Sequence, residues 1–195
     1  MLFWQWIVCF FTLYHSYGTK KFDNDGKFLY FAYGSNLLER RIRINNPSAT
    51  FFKTAKLFGY RLDFNIYVKS WEGAVATIVE DPDSFVWGAL WILDNSDMNS
   101  LDTQEGVHIG LYYAKNVSVV TNDGFLYDAR TYLEKLVPPK VPSNEIPIER
   151  QPSNTYMKVI IQGALECSLP MKYIEFLFTF PTNGNLATWH IRQEL

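Results

Sequence analysis

Polar breaks cut the chain into short apolar runs whose spacing switches between strand-like and helix-like periods. Phe28 to Tyr33 is an apolar run of strand length, ended by Gly34-Ser35-Asn36. Leu37 to Ile44 then carries helix-forming residues up to Asn45-Asn46-Pro47, so this region predicts strand, tight turn and helix. Thr50 to Val68 alternates loosely and predicts one long strand or two short ones. Gly73 to Val79 and Phe85 to Leu93 predict two buried strands, with Asp81-Pro82-Asp83 as the turn between them. From Asp94 to Glu105 the spacing becomes helical, with Asp94, Asn95 and Ser96 as candidate caps and Gly106 as the stop.

Tyr112 to Val120 and Gly124 to Leu133 flank Asn122-Asp123-Gly124, a hairpin signal. Val137 to Pro152 holds five prolines and predicts a long loop. Ser153 is placed to cap a helix from Thr155 to Glu166, with Tyr156, Val159, Ile160 and Gly163 on one face. Ser168 and Pro170 open a last helix through Phe178. Strands dominate the middle of the chain and helices punctuate it. The pattern is α+β: a mixed, barrel-like β-sheet with flanking helices, without repeated βαβ units.

The chain has 195 residues, the size of one ordinary domain. Apolar residues make up 48%, enough for a sizeable core, and aromatics make up 17%, which predicts a core or pocket rich in rings. The formal net charge is -2. No basic run is longer than Glu39-Arg40-Arg41-Ile42-Arg43, which reads as the solvated face of a short helix, so nucleic acid is not an expected partner.

The two ends carry targeting features. Leu2 to Leu13 is almost wholly apolar or aromatic, and Ser16-Tyr17-Gly18 places small residues where a signal peptidase reads. Residues 1–18 are expected to be a cleaved signal peptide, although no Lys or Arg precedes the apolar run. An apolar anchor and a mispredicted start are the alternatives. The mature part, 19–195, is expected to be a single domain with no stable membrane anchor. The terminal Arg192-Gln193-Glu194-Leu195 is similar to a Lys-Asp-Glu-Leu retrieval signal, so secretion and retention in the endoplasmic reticulum lumen are both open. With Cys9 inside the signal segment, Cys167 stands alone and reads as a buried structural thiol. Asn116-Val117-Ser118 is a glycosylation sequon if the chain enters the lumen.

Two places could carry chemistry. Gly34, at a strand-to-helix turn, would let backbone approach a ligand, with N–H groups suited to a developing oxyanion. Glu105 follows Leu101 by four residues, so it points toward apolar packing, where a carboxyl's pKa rises and it becomes a usable proton shuttle. Each has a plainer reading, a simple turn and a helix-end carboxylate. Glu105 and His108 form Glu-x-x-His, but Gly106 ends the helix between them, and no other cluster completes a metal site.

Taken together these segments resemble the γ-glutamylcyclotransferase family. Phe28-Leu29-Tyr30-Phe31-Ala32-Tyr33-Gly34-Ser35-Asn36 is similar to its signature strand and loop, and Asn99-Ser100-Leu101-Asp102-Thr103-Gln104-Glu105-Gly106 to its second motif. The resemblance spans residues 28–181. It implies a reaction in which the α-amine of a γ-glutamyl amino acid or dipeptide attacks its own γ-carbonyl, giving 5-oxoproline and a free amino acid. By the same match Glu105 is the catalytic carboxylate. Tyr30, Phe31, Ala32, Tyr33, Gly34, Ser35 and Tyr156 line the substrate pocket, and Tyr112 and Tyr132 are weaker candidates. The resemblance implies no metal and no organic cofactor, and leaves homodimerisation open. The family is typically intracellular, which the N-terminal segment contradicts. The segment 137–152 is longer than the family pattern suggests, and reads as a lid over the pocket or a tolerated insertion. Rival readings are a glutathione- or γ-glutamylamine-specific relative, whose turn typically carries Leu where this chain has Asn36, and a binding protein of the same fold without turnover.

Overall fold

The computed structural model describes residues 17–187 except 21 and 24. The apolar segment 2–13 and the terminal Arg192-Gln193-Glu194-Leu195 lie outside the described residues. The elements are β1 (Gly18–Thr19), β2 (Lys27–Ala32), α1 (Glu39–Ile42), β3 (Thr50–Val68), β4 (Gly73–Asp94), α2 (Met98–Gln104), β5 (Tyr112–Thr121), β6 (Phe125–Glu134), α3 (Asn154–Glu166) and α4 (Met171–Leu177). Short 3-10 turns link several of them.

Five strands close into a barrel in the order β6, β2, β4, β3, β5 and back to β6, with β1 added on β6. The β1–β6 and β2–β6 pairings are parallel and the rest antiparallel, so the barrel is mixed as expected. A cut after Gly18 would fall inside β1, where Gly18 and Thr19 pair with Phe125 and Leu126. Burial on both faces explains why β2 and much of β4 read as continuous apolar runs rather than alternating ones. Phe31, Phe64, Ile78, Leu90, Trp91 and Tyr132 are all but fully buried in the core.

The expected turn at Asp81-Pro82-Asp83 does not reverse the chain. Gly73 to Val79 and Phe85 to Leu93 are two halves of β4, and both pair with β3: Phe58 faces Phe85 and Tyr60 faces Glu80. Residues 81–84 bulge out between these pairs. Pro82 has no N–H for the ladder, and the Ser84 hydroxyl closes the bulge on Asp81 at 2.8 Å. The local signal was read correctly as a break, but the long partner strand decides its direction.

The expected helix from Leu37 to Ile44 is shorter than predicted: a 3-10 turn over Ser35–Leu37 and then α1. The hairpin of β5 and β6 and the cap of α3 are as expected, with Ser153 Oγ accepting from the Tyr156 N–H at 3.1 Å. The sequon residue Asn116 is exposed on β5. Cys167 is buried at the end of α3, and its thiol donates to the Leu37 carbonyl at 3.2 Å, tying α3 to the loop after β2. Burial pushes this thiol up to about 12, so it stays protonated.

The segment 137–152 has the contacts of a strap rather than of a lid. None of its residues lines the pocket described below. It is strapped to β3 instead. Arg150 donates to Asp63 at 2.6 Å, Phe64 O at 3.0 Å and Pro139 O at 3.0 Å, while Arg61 holds Pro138 O at 2.9 Å. A buried guanidinium with three acceptors fixes the loop rather than freeing it.

Candidate active site

The loop after β2 and the end of α2 meet at one mouth of the barrel. The 3-10 turn begins at Gly34, whose carbonyl takes the Leu37 N–H at 3.0 Å, and the Leu38 N–H follows onto Ser35 O at 3.2 Å. The earlier N–H groups have no preceding carbonyl within the turn. Gly34 is confined: a Cβ there would sit 3.3 Å from the Ala76 Cβ and 3.4 Å from Tyr156 Oη.

Glu105 is delivered by the end of α2. Leu101, one turn earlier, is completely buried. Gly106 then stops the helix in the left-handed region (φ 64°), which a side chain rarely adopts. Glu105 is partly exposed as a residue, but its Oε1 accepts from Asn36 Nδ2 at 2.9 Å and from Tyr30 Oη at 3.3 Å. Desolvation raises this carboxyl to about 7, against the positive charge of Arg41 and the hydrogen bond from Tyr30, with the Asp102 charge adding to the rise. Near neutrality both protonation states are therefore populated.

Tyr30, Tyr33, Gly34, Ser35, Asn36, Ala76, Glu105, Tyr112, Tyr132 and Tyr156 enclose a pocket of about 40 Å³. A hollow of about 430 Å³ near Phe28 and Arg130, and another of about 500 Å³ near Trp87 and Phe176, are larger, but neither is lined by Glu105 or by the Gly34-Ser35 turn. Tyr156 reaches in from α3, its Oη accepting the Ala76 N–H at 3.1 Å. Tyr112 Oη donates to Ala76 O at 2.7 Å. Tyr33 donates to the Tyr132 carbonyl, and Tyr132 donates to Asp102, which Arg130 also grips at 2.7 and 2.9 Å. Burial raises the phenols of Tyr30, Tyr33, Tyr112, Tyr132 and Tyr156, Tyr156 to about 12, so they act as neutral donors and acceptors.

Of the residues expected to line the pocket, Tyr30, Tyr33, Gly34, Ser35 and Tyr156 do, as do Tyr112 and Tyr132. Phe31 and Ala32 are completely buried and are not among its lining residues. Strand alternation turns the Phe31 ring away from Tyr30, and it packs close to Gly88. Two contributors escaped the sequence reading. Asn36 stands in the motif, and nothing in its spacing announces that it binds Glu105. Arg41 was assigned to a solvated face, yet only Arg40 and Arg43 are exposed. Arg41 lies three and four residues after the buried Leu38 and Leu37, a phase that points it inward, and its charge bears on Glu105. Among the described residues no three His, Cys, Asp or Glu side chains gather into a metal-binding cluster, and no helix is long and apolar enough to cross a membrane. His108 is exposed on the turn after Gly106.

Known proteins resemble this chain in sequence and in fold. Residues 85–177 match the AIG2-like family. A human γ-glutamylcyclotransferase is 42% identical over 164 residues, covering 82% of each chain, and a bovine one is 41% identical over 166 residues, covering 83% of each. A solved structure of a γ-glutamyl cyclotransferase superposes with a TM-score of 0.77 at 38% identity, covering 86% of this chain and 97% of that one. Identity at this level across most of both chains places the protein in the γ-glutamylcyclotransferase family.

Proposed function

We propose that Glu105 carries the proton transfers of a γ-glutamyl cyclisation in this pocket. The substrate is a γ-glutamyl amino acid or dipeptide, and the products are 5-oxoproline and a free amino acid. The observation that carries the assignment is the Glu105 carboxyl, hydrogen-bonded by Asn36 and Tyr30 in the pocket that Gly34 and Ser35 also line and raised by burial to about 7.

The nucleophile and electrophile belong to one molecule, so holding the substrate folded supplies much of the rate. The α-amine is mostly protonated at neutral pH. Glu105 takes a proton from it, and the amine nitrogen attacks the γ-carbonyl carbon to close a five-membered ring. The carbonyl oxygen becomes an oxyanion, for which backbone N–H groups at Gly34 and Ser35 are the candidate donors. Glu105 returns the first proton to the leaving nitrogen as its C–N bond to the ring carbon breaks, and the regenerated carboxylate then takes the second proton of the ring nitrogen and passes it to the departing amine, which leaves as an ammonium. Asn36 and Tyr30 favour the ionised carboxyl and orient it. The neutral phenols of Tyr33, Tyr112 and Tyr156 give the pocket polar contacts without fixed charge.

The test is 5-oxoproline release from γ-glutamylalanine, with glutathione and a γ-glutamylamine in parallel, for the wild type and Glu105→Gln. Product from the wild type and almost none from the folded variant supports both reaction and base. Equal turnover by both would remove Glu105 from the role. Glutathione as the only good substrate would move the chain to the glutathione-specific reading.

A further inference from the structure

A second buried carboxyl stands behind the pocket wall. Glu134, the last residue of β6, is 4% exposed. Its Oε1 lies 3.3 Å from Tyr112 Oη and 3.4 Å from the Ile66 amide nitrogen, and its Oε2 is buried without a hydrogen-bond partner. Among the described residues no cation forms an ion pair with it. From β3, Asp63 faces it, and Asp63 is bonded to Arg61 and Arg150; Asn65 of the same strand also bears on the carboxyl. From β4, Thr77 accepts the Glu134 N–H at 3.0 Å. Tyr112 of β5 and Tyr33 of the loop after β2 are the remaining titratable groups that sense it. Burial pushes the carboxyl up to about 7 against hydrogen bonds from Asn65, the Ile66 N–H and Tyr112, which favour the ionised form, and the Asp63 charge adds to the rise.

Tyr112 connects this carboxyl to the pocket. Its Oη is 2.7 Å from Ala76 O, and the Ala76 N–H is 3.1 Å from Tyr156 Oη, so the backbone of one residue, on its two adjoining peptide groups, holds both phenols. A phenol has one proton. When Glu134 is neutral, its O–H donates to Tyr112 Oη and the phenol proton is free for Ala76 O. When Glu134 is ionised, the carboxylate competes for that same proton, and either Ala76 O loses the Tyr112 donor or the carboxylate keeps only the Ile66 N–H and Asn65. A buried group left unsatisfied favours rearrangement.

We propose that Glu134 is a positioning residue for the cyclisation: as a neutral acid it donates to Tyr112 and so pins the pocket wall made by Tyr112, Ala76 and Tyr156. Its ionisation releases that wall. Glu105 must lose its proton to act as a base and Glu134 must keep its own, so the two carboxyls give kcat/KM opposing limbs on either side of neutrality. The inference rests on the cyclotransferase reading above.

The test is the pH dependence of kcat/KM for γ-glutamylalanine in the wild type, Glu134→Gln, Tyr112→Phe and the double variant. Glutamine keeps a neutral donor in the same place and cannot ionise. The expected result is that Glu134→Gln matches the wild type near pH 6 but loses the alkaline limb, and is several-fold more active than the wild type above about pH 8. On the Tyr112→Phe background the same change has no effect. A Glu134→Gln profile that superimposes on the wild type, or the absence of an alkaline limb in the wild type, overturns the proposal. A wild type that makes no 5-oxoproline at any pH overturns the reaction instead. The linkage is then read by carbon NMR of labelled tyrosine. A Tyr112 Cζ resonance that moves with a neutral-range titration abolished by Glu134→Gln supports it, and one that does not move overturns it.

Discussion

The side-chain amide of Asn36 donates to Glu105 Oε1 at 2.9 Å, and its carboxamide oxygen is held by Gln104 Nε2 at 2.9 Å. The residue that ends the signature loop is thereby wired to the residue that ends α2, and its amide orientation is fixed by the neighbour of the carboxylate it serves. The amide bond stabilises the ionised carboxyl and partly offsets the desolvation that raises it.

Removing that donor raises the Glu105 pKa further, so the base is less ionised at any given pH. Asn36→Ala is expected to lower kcat/KM roughly five- to tenfold at pH 7, with recovery above about pH 8, since a hydrogen bond to a charged group contributes on the order of one pKa unit. A pH–rate profile checks this. An acidic limb that stays in place would mean that Asn36 does not tune the base.

Glu105 also leaves a thermodynamic signature. Its folded pKa, about 7, lies above the ordinary 4.5, so the neutral form suits the fold. The associated stability is full below the ordinary value and is lost as pH rises through 7. Glu105→Gln cannot ionise. It is expected to melt with the wild type at about pH 4.5 and to be more stable by on the order of 2–3 kcal/mol at about pH 8, while losing turnover. Melting curves at the two pH values decide it, and a variant less stable at the higher pH would show that the burial cost is offset elsewhere.

Local spacing sets the orientation of two of the site's residues. Leu101 before Glu105 and Gly106 after it set the phase of the carboxyl, and the capped helix sets the face of Tyr156, but the place of both in the site is what the family resemblance implies. What could not be read depends on partners far along the chain. Asp81-Pro82-Asp83 carries every sign of a reversal, and only pairing with β3 keeps β4 running on. Arg41 sat in a basic cluster whose composition suggested solvent, although its helical phase pointed inward. Phe31 was assigned to the pocket with its motif, and the strand's alternation turned it out. Glu134 ends a strand, where a carboxylate ordinarily faces water, and its burial follows from the closure of the barrel.

Gly163 sets how closely α3 approaches the signature loop. A Cβ there would lie 2.4 Å from the Leu38 nitrogen and 2.5 Å from the Leu37 carbonyl carbon, both backbone atoms that cannot swing aside. Alanine in a helix interior normally stabilises by about 1 kcal/mol relative to glycine. Here the overlap is expected to reverse the sign, making Gly163→Ala less stable by about 1–3 kcal/mol, the range for overpacking. The displaced Ser35–Leu37 turn would also lower turnover per folded molecule. A stable, fully active variant would show that the loop yields without cost.

Arg150 separates a strap from a lid. Its side chain is nearly buried against Asp63, and its three acceptors lie on β3 and on the proline-rich segment itself. Arg150→Ala leaves Asp63 with Arg61 as its remaining ion-pair partner. It is expected to destabilise the protein by about 3–5 kcal/mol, the range for breaking a buried pair. The extra negative charge felt by Glu134 favours its neutral form, so the pocket wall stays pinned. Well below its melting temperature, the variant is therefore expected to keep the wild-type KM and turnover. If the segment instead closed over the substrate, KM and kcat would change together, with little effect on melting.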